Sequence, residues 1–318
     1  MICELYKSTL SADEKCAYEA LVAGYQAMKT SIVFDLADHH RLERLLDSVR
    51  YDHPEIFYVD GTFNYRVMNM FGKTRITLMP QYLYSQSEVA RISAKCKAEA
   101  ERIIKGAPSD DFGRELLVHD RLCEKIVYQE GAHAHSIIGA LIDGRCVCEG
   151  ISKAAKYCFD MLGMTTAIMT GNAGKGGDIG PHAWNVVKIR SDWYHVDITW
   201  DNGTADTMGC TTVSVYDYFN LCDEEIEVNH KIDMALPCRA TETDENYYMK
   251  NDLYAFNMDM VKDIAQREIR AGKKVICFRC ASWMAGKEES ILQTVFSCIK
   301  TRRSVEYVHS NMVFSIKL

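Results

Sequence analysis

Along residues 148–162 the apolar positions Ile151, Ala154, Ala155, Cys158, Phe159 and Leu162 recur at steps of three and four, a stripe down one face of a helix. The same period predicts helices over "SADEKCAYEALVAGY", which opens on a Ser11-to-Glu14 capping box, and over "DHHRLERLLDSV". It also predicts them over "SQSEVARISAKCKAEAERIIKGA", closed by Gly106 and Pro108, and over "FGRELLVHDRLCEKIVY". Alternation of period two predicts strands in "IFYVDGTFNYRV", "KTRITLMPQYLYS", "TTAIMTG", "HAWNVVKI" and "WYHVDITW". The glycine-rich stretch "GNAGKGGDIGP" lacks the ending and the following helix of a phosphate cradle, so it reads as a surface loop or lid. From about Asn246 the order is helix, strand, helix and hairpin, with Gly272 closing the first helix and Asn311 in the last turn.

Helices and strands in that order predict an α+β fold rather than alternating βαβ units. A chain of 318 residues is longer than one core usually supports. The expected units are an N-terminal accessory α+β unit at 1–109, a catalytic core at 110–240 and a C-terminal accessory α+β unit at 241–318.

A net charge of −7 argues against nucleic acid as a partner, since phosphate binding needs a clustered basic surface. No stretch has the ~18 apolar residues of a membrane span, and the opening segment lacks a signal-peptide pattern, which gives a cytoplasmic expectation. An export signal removed ahead of residue 1 would leave the same sequence. Thirteen cysteines, many at helical core positions, read as reduced thiols.

Two of those cysteines stand apart, in "GRCVCEGISKAAKYC". Cys146, Cys148 and Cys158 lack the two-pair spacing of a structural zinc site. A Cys146–Cys148 disulfide would close a strained ring. Packing accounts for Cys146 and Cys158 but less well for Cys148, which opens the striped helix where polar caps are the rule. Free N–H groups and the positive end of the helix dipole favour a thiolate there. Gly150 in the first turn lets other backbone approach closely. "CFRC" at 277–280 places its cysteines on opposite faces of a strand and reads as buried structure.

A cysteine nucleophile needs a histidine, and the histidine an orienting group. In "GPHAWNVVKIRSDWYHVDITWDN" a two-residue turn at Ser191-Asp192 puts His182 and Asp197 on one sheet face but about four residues apart. A bulge or longer turn near 189–193 is therefore expected to close the gap. Trp184 and Trp200 are expected as site walls or as core.

"GALIDGRCVCEGISKAAKYCFDMLGM", "HAWNVVKIRSDWYHVDITWDN" and "YDYFNLCDEEIEVNH" together resemble the bacterial transglutaminase-like cysteine hydrolase family, over roughly residues 110 to 230. The resemblance implies a papain-like α+β core with Cys148 as nucleophile, His182 as base and Asp197 as orienter. Gly150, Ile151 and Ser152 depart from the family's usual G-Y-A. The implied chemistry is thiol-dependent acyl transfer on a peptide or protein substrate: hydrolysis first, cross-linking or deamidation second. The backbone N–H of Cys148 supplies one oxyanion donor, with Tyr128, His133, His135 and Ser136 as candidates for the other. No cofactor or metal is expected; no acidic loop has the spacing of a calcium site. A peptide- or wall-binding module that keeps the fold without catalysis is the rival, and loss of a triad residue would be its mark.

Overall fold

The computed structural model describes residues 2–70, 73–175, 177–202, 215–233, 236–299 and 305–318. After a short helix α1 (Leu5–Ser8), helix α2 (Ala12–Gln26) starts on the expected capping box, the Ser11 N–H donating to Glu14 at 2.8 Å. Strand β1 (Ile32–Leu36) follows, then α3 (Leu42–Asp52), the long strands β2 (Val59–Met70) and β3 (Lys73–Tyr82), and α4 (Gln86–Ile104). The three strands form an antiparallel sheet in the order β1-β3-β2 over a core that includes Tyr18, Leu21, Leu45 and Leu78. β1 is an element the periodicity does not predict, because five residues between two helices hold too few alternations to stand out.

Helix α5 (Asp111–Lys125) leads through β4 (Val127–Tyr128) and a π-helical turn at Gly139–Asp143 to β5 (Arg145–Cys146), which pairs with β4 in parallel. Next come α6 (Cys148–Met161), β6 (Thr165–Lys175), β7 (Asp178–Ile189), β8 (Asp192–Val196) and the single turn α7 (Ile198–Asp201). β9 (Phe219–Leu221), α8 (Asp223–Ile226) and β10 (His230–Ile232) complete an antiparallel sheet in the order β10-β6-β7-β8-β9. The glycine-rich stretch is mostly strand rather than loop: β6 and β7 stay in register out to Lys175 and Asp178. Gly171 admits β10 there, since a Cβ on it would lie 2.0 Å from the Lys231 carbonyl oxygen.

Helix α6 is the axis of this region. Its apolar stripe packs with α4, α5 and the sheet. Lys156 and Asp160, which a solvent-facing side would carry, are buried under the N-terminal segment. Lys156 Nζ bonds Asp160 at 2.9 Å and the Cys3 carbonyl at 2.9 Å. Residues 247–317 add α9 (Tyr247–Lys250), β11 (Tyr254–Ala255), α10 (Met258–Arg270), β12 (Val275–Cys280), α11 (Glu288–Cys298), β13 (Glu306–Ser310) and β14 (Val313–Lys317). Their sheet, ordered β11-β12-β14-β13, has its own apolar cluster. The whole is α+β, and among the described residues no helix is long and apolar enough to cross a membrane.

Candidate active site

Cys148 is the first residue of α6. The residue before it, Val147, has no side chain to cap the helix, so nothing polar of its own covers the first N–H groups. Cys146, by contrast, is fully buried, and burial pushes its thiol up to about 12. Gly150 lies under the loop 129–136: a Cβ there would stand 2.4 Å from the Ala134 carbonyl oxygen and 2.8 Å from Cys146 Cβ. That loop is tied to the helix start by Val147 N–H to Ala134 O at 3.1 Å and by Lys153 Nζ to His135 O at 3.1 Å. Glu149 joins the same wall, receiving Arg50 of α3 at 2.6 Å, Lys153 at 2.8 Å and His135 Nδ1 at 3.0 Å.

His182 sits on β7, beside β6. Two polar links hold that strand to α6. The Ser152 hydroxyl lies between the carbonyl oxygens of Cys148 (2.9 Å) and Ala183 (3.0 Å), and Asn185 Nδ2 donates to the Ser152 carbonyl at 3.0 Å. The distance between α6 and the strand of His182 is thus set by hydrogen bonds adjoining Cys148 and His182. Ser152 does more here than the packing its departure from the family pattern suggests.

Asp197 corrects the hairpin expectation. β7 and β8 are in regular register, Ile189 opposite Asp192, so the two-residue turn is Arg190-Ser191 and no bulge interrupts them. Starting the turn one residue earlier halves the expected four-residue offset to two, and the rest is closed at the other end of β8. The strand stops at Val196, and Asp197 becomes the N-cap of α7 instead of a strand residue. Its Oδ1 accepts from Thr199 N–H (3.0 Å) and Trp200 N–H (3.2 Å). Its Oδ2 meets His182 Nε2 at 2.7 Å and His230 Nε2 at 3.0 Å.

The Cys148 side chain lies near enough to the His182 ring to help raise its pKa. With Asp197 on Nε2, the nitrogen left for the sulfur is Nδ1. Burial works against a charged ring, but the Asp197 carboxylate, with Cys148 behind it, overcomes this and pushes the His182 pKa up to about 10. Burial likewise works against a charged Asp197, yet the two histidines bring its carboxyl well below the usual carboxylate range.

Trp184 and Trp200 are both buried and flank His182, with ring centres 6.0 and 5.7 Å away. Trp184 Nε1 donates to His195 Nδ1 at 3.0 Å. An indole N–H is only a donor, so His195 carries its proton on Nε2, which faces Asp223 at 3.0 Å. Of the four candidates for a second oxyanion donor, Tyr128 is placed best, its phenol beside the backbone of Cys148. His133 pairs with Asp143 at 2.7 Å, His135 with Glu149, and the Ser136 hydroxyl with a carbonyl at 3.3 Å.

Behind α7, His119 of α5 is fully buried between Asp201 (3.1 Å) and Asp120 (3.0 Å). Burial opposes its charge, but Cys123 and the two carboxylates raise its pKa, so it holds a proton. Among the described residues, the groups whose donor atoms could meet one metal ion are Asp38, His39 and His40 on the surface, and His182, Asp197 and His230 inside. Cys146, Cys148 and Cys158 are in neither.

The residues sequence reasoning passed over are His230, Ser152, Asn185 and His195. Asn185 and His230 stand within the quoted motifs, the last letters of "HAWN" and "VNH", and a partner search among motif polar residues would have reached both.

No family model matches the chain, and no curated protein matches it. Similar solved structures include a TGase, at 14% identity and TM-score 0.32 over 43% of this chain and 44% of that one. A provisionally named cysteine protease from Cytophaga hutchinsonii gives 13% and 0.30 over 47% and 64%. A provisionally named protease from Parabacteroides distasonis gives 6% and 0.26 over 43% and 37%. The chain spans less than two thirds of each of these structures.

Proposed function

We propose that this protein is a thiol-dependent acyl-transfer enzyme with a transglutaminase-like core, hydrolysing peptide or amide bonds through Cys148, His182 and Asp197. The observation that carries the reading is the His182 ring, bonded on Nε2 to a buried, ionised Asp197 and close to a thiol at a helix N-terminus. A histidine serving only the core has no need of both partners in that order.

In this reading the Cys148 proton passes to His182 Nδ1, and the sulfur attacks the substrate carbonyl carbon. The C–S bond forms as the carbonyl π pair moves onto oxygen, which accepts from the Cys148 N–H and the Tyr128 hydroxyl. Collapse breaks the C–N bond, and the amine leaves with the proton from His182. Water then gives a proton to His182 and attacks the thioester carbon; collapse breaks the C–S bond, the carboxylic acid leaves, and His182 returns its proton to the sulfur. Asp197 keeps the ring in the tautomer this exchange needs. The N-terminal unit reaches the site through Arg50 on Glu149, the residue next to Cys148.

Iodoacetamide labelling tests the proposal. One thiol should react fast down to about pH 5.5, below the range where an ordinary thiol of pKa ~8.5 does. That label should vanish in C148A, as should product release from a peptide and amide library. A protein with no thiol faster than the rest, or a fast thiol that survives C148A, overturns it.

A further inference from the structure

We propose that His230 is a positioning residue of this site: as a neutral ring it donates its Nε2–H to Asp197 Oδ2, the same oxygen that takes His182, and so locks the carboxylate toward the base. This deepens the function proposed above and rests on it.

The case starts from counting lone pairs. A carboxylate offers about four acceptor positions, and Asp197 fills four: Thr199 and Trp200 N–H on Oδ1, His182 and His230 on Oδ2. Without the last, one position on the oxygen that holds the base is left without a donor in a fully buried group. His230 is itself 3% exposed, at the start of β10 opposite Ala173, and packs among Trp184, Trp200 and Tyr218.

The protons follow from the neighbours. To donate to Asp197, His230 must carry hydrogen on Nε2. Its Nδ1 lies 2.7 Å from the Asn229 side-chain oxygen as placed, and the Asn229 nitrogen lies 2.8 Å from the Tyr218 hydroxyl. So placed, Nδ1 would also need hydrogen, and two charged rings 5.4 Å apart would share one carboxylate. Oxygen and nitrogen of an amide are assigned by their partners. Turning the Asn229 amide over lets its Nδ2 donate to His230 Nδ1 and its oxygen accept from Tyr218, with His230 uncharged. Burial points the same way: it lowers the His230 pKa, Asp197 opposes, and the His182 and His195 rings add to the lowering.

Nitrogen NMR of the intact protein with labelled histidine tests the proton positions directly. From pH 5.5 to 9, His230 should show one proton, on Nε2, while His182 shows two through the acidic half of that range. A His230 protonated on Nδ1, or on both nitrogens, overturns the proposal. Variants test the role. H230Q keeps an N–H donor and should label at Cys148 within about threefold of the wild type. H230F fills the aromatic cage without a donor and should lose about tenfold at pH 6, the worth of a charge-assisted hydrogen bond. H230F labelling as fast as the wild type, with thermal melts showing both folded, overturns it. If H230F does not fold, H230Q and the NMR spectrum decide. A wild type without any fast thiol would instead sink the function proposed above, while the spectrum would still report on His230.

Discussion

Replacing Asp197 by Asn keeps the shape of the side chain and exchanges one acceptor for a donor. The amide oxygen stays with Thr199 and Trp200 N–H, so the amide nitrogen takes the place of Oδ2, opposite His182 and His230 Nε2. His182 must then turn a lone pair to residue 197 and carry its proton on Nδ1, beside the sulfur. A ring already protonated there cannot accept the thiol proton. The lift of His182 from 6.5 to about 10 is worth at most about 5 kcal/mol, at ~1.4 kcal/mol per pH unit. With the effective screening of real protein interiors a few kcal/mol remain, and a triad carboxylate-to-amide change costs about 10⁴ in kcat in a serine protease. We expect D197N to lose on the order of 10³ to 10⁴ in turnover. Iodoacetamide rates from pH 4.5 to 10, with a thermal melt alongside, give the assay. Wild type should stay reactive into acid, and D197N should react only as an ordinary thiol does. A folded D197N with the wild-type pH profile refutes the orienting role.

Three further outcomes follow from the same geometry. C146A should keep most turnover where C148A loses it, because Cys146 is fully buried behind the helix start; equal loss in two folded variants would require a paired-thiol mechanism. G150A should cost at least about 2 kcal/mol in thermal or urea unfolding, since its Cβ would meet the Ala134 carbonyl at 2.4 Å; a wild-type melt would show the loop 129–136 free to move. Glu115, fully buried, is pushed up from 4.5 to about 8 by burial, with the Asn220 hydrogen bond opposing. Between those pH values the native state keeps a proton the unfolded chain has released, so stability falls as pH rises, by up to ~1.4 kcal/mol per pH unit. E115Q removes that loss, and its advantage in melting temperature should grow from pH 5 to 8; a constant difference would refute the buried carboxyl.

What the sequence disclosed was local. The stripe from Ile151 to Phe159 announces α6 and with it the position of Cys148, because a helix repeats its neighbours every few residues. The capping box at Ser11 is equally local, three residues from end to end. Asp197 was legible as a partner for His182 but not in its geometry. Its reach depends on where β8 ends, and "WYHVDITW" alternates well enough to run the predicted strand four residues too far. His230 acts on a residue 33 positions away, and no periodicity encodes such a contact. The burial of Lys156 and Asp160 is not legible in the helix itself, since the N-terminal segment covering them comes from more than 150 residues upstream.

The turn that carries Asp197 explains why so much of the site lies outside periodic patterns. Four residues of helix cannot hold their shape alone, since one turn fixes several dihedrals for a single hydrogen bond. α7 is held instead by a carboxylate at each end. Asp197 at its start answers to His182 and His230, and Asp201 at its end answers to His119 and to the Tyr218 N–H at 2.9 Å. Burying two carboxylates is costly unless each is bonded on every side, and both are met by charged or N–H donors from separate elements: α5, β7 and β10. The orienter of the proposed triad therefore cannot shift without breaking bonds to β7, to β10 and within its own turn. The helix that carries Cys148 is fixed by packing and by the Ser152 and Asn185 links. The proposed nucleophile and orienter are thus held by different forces, and they meet only at the His182 ring.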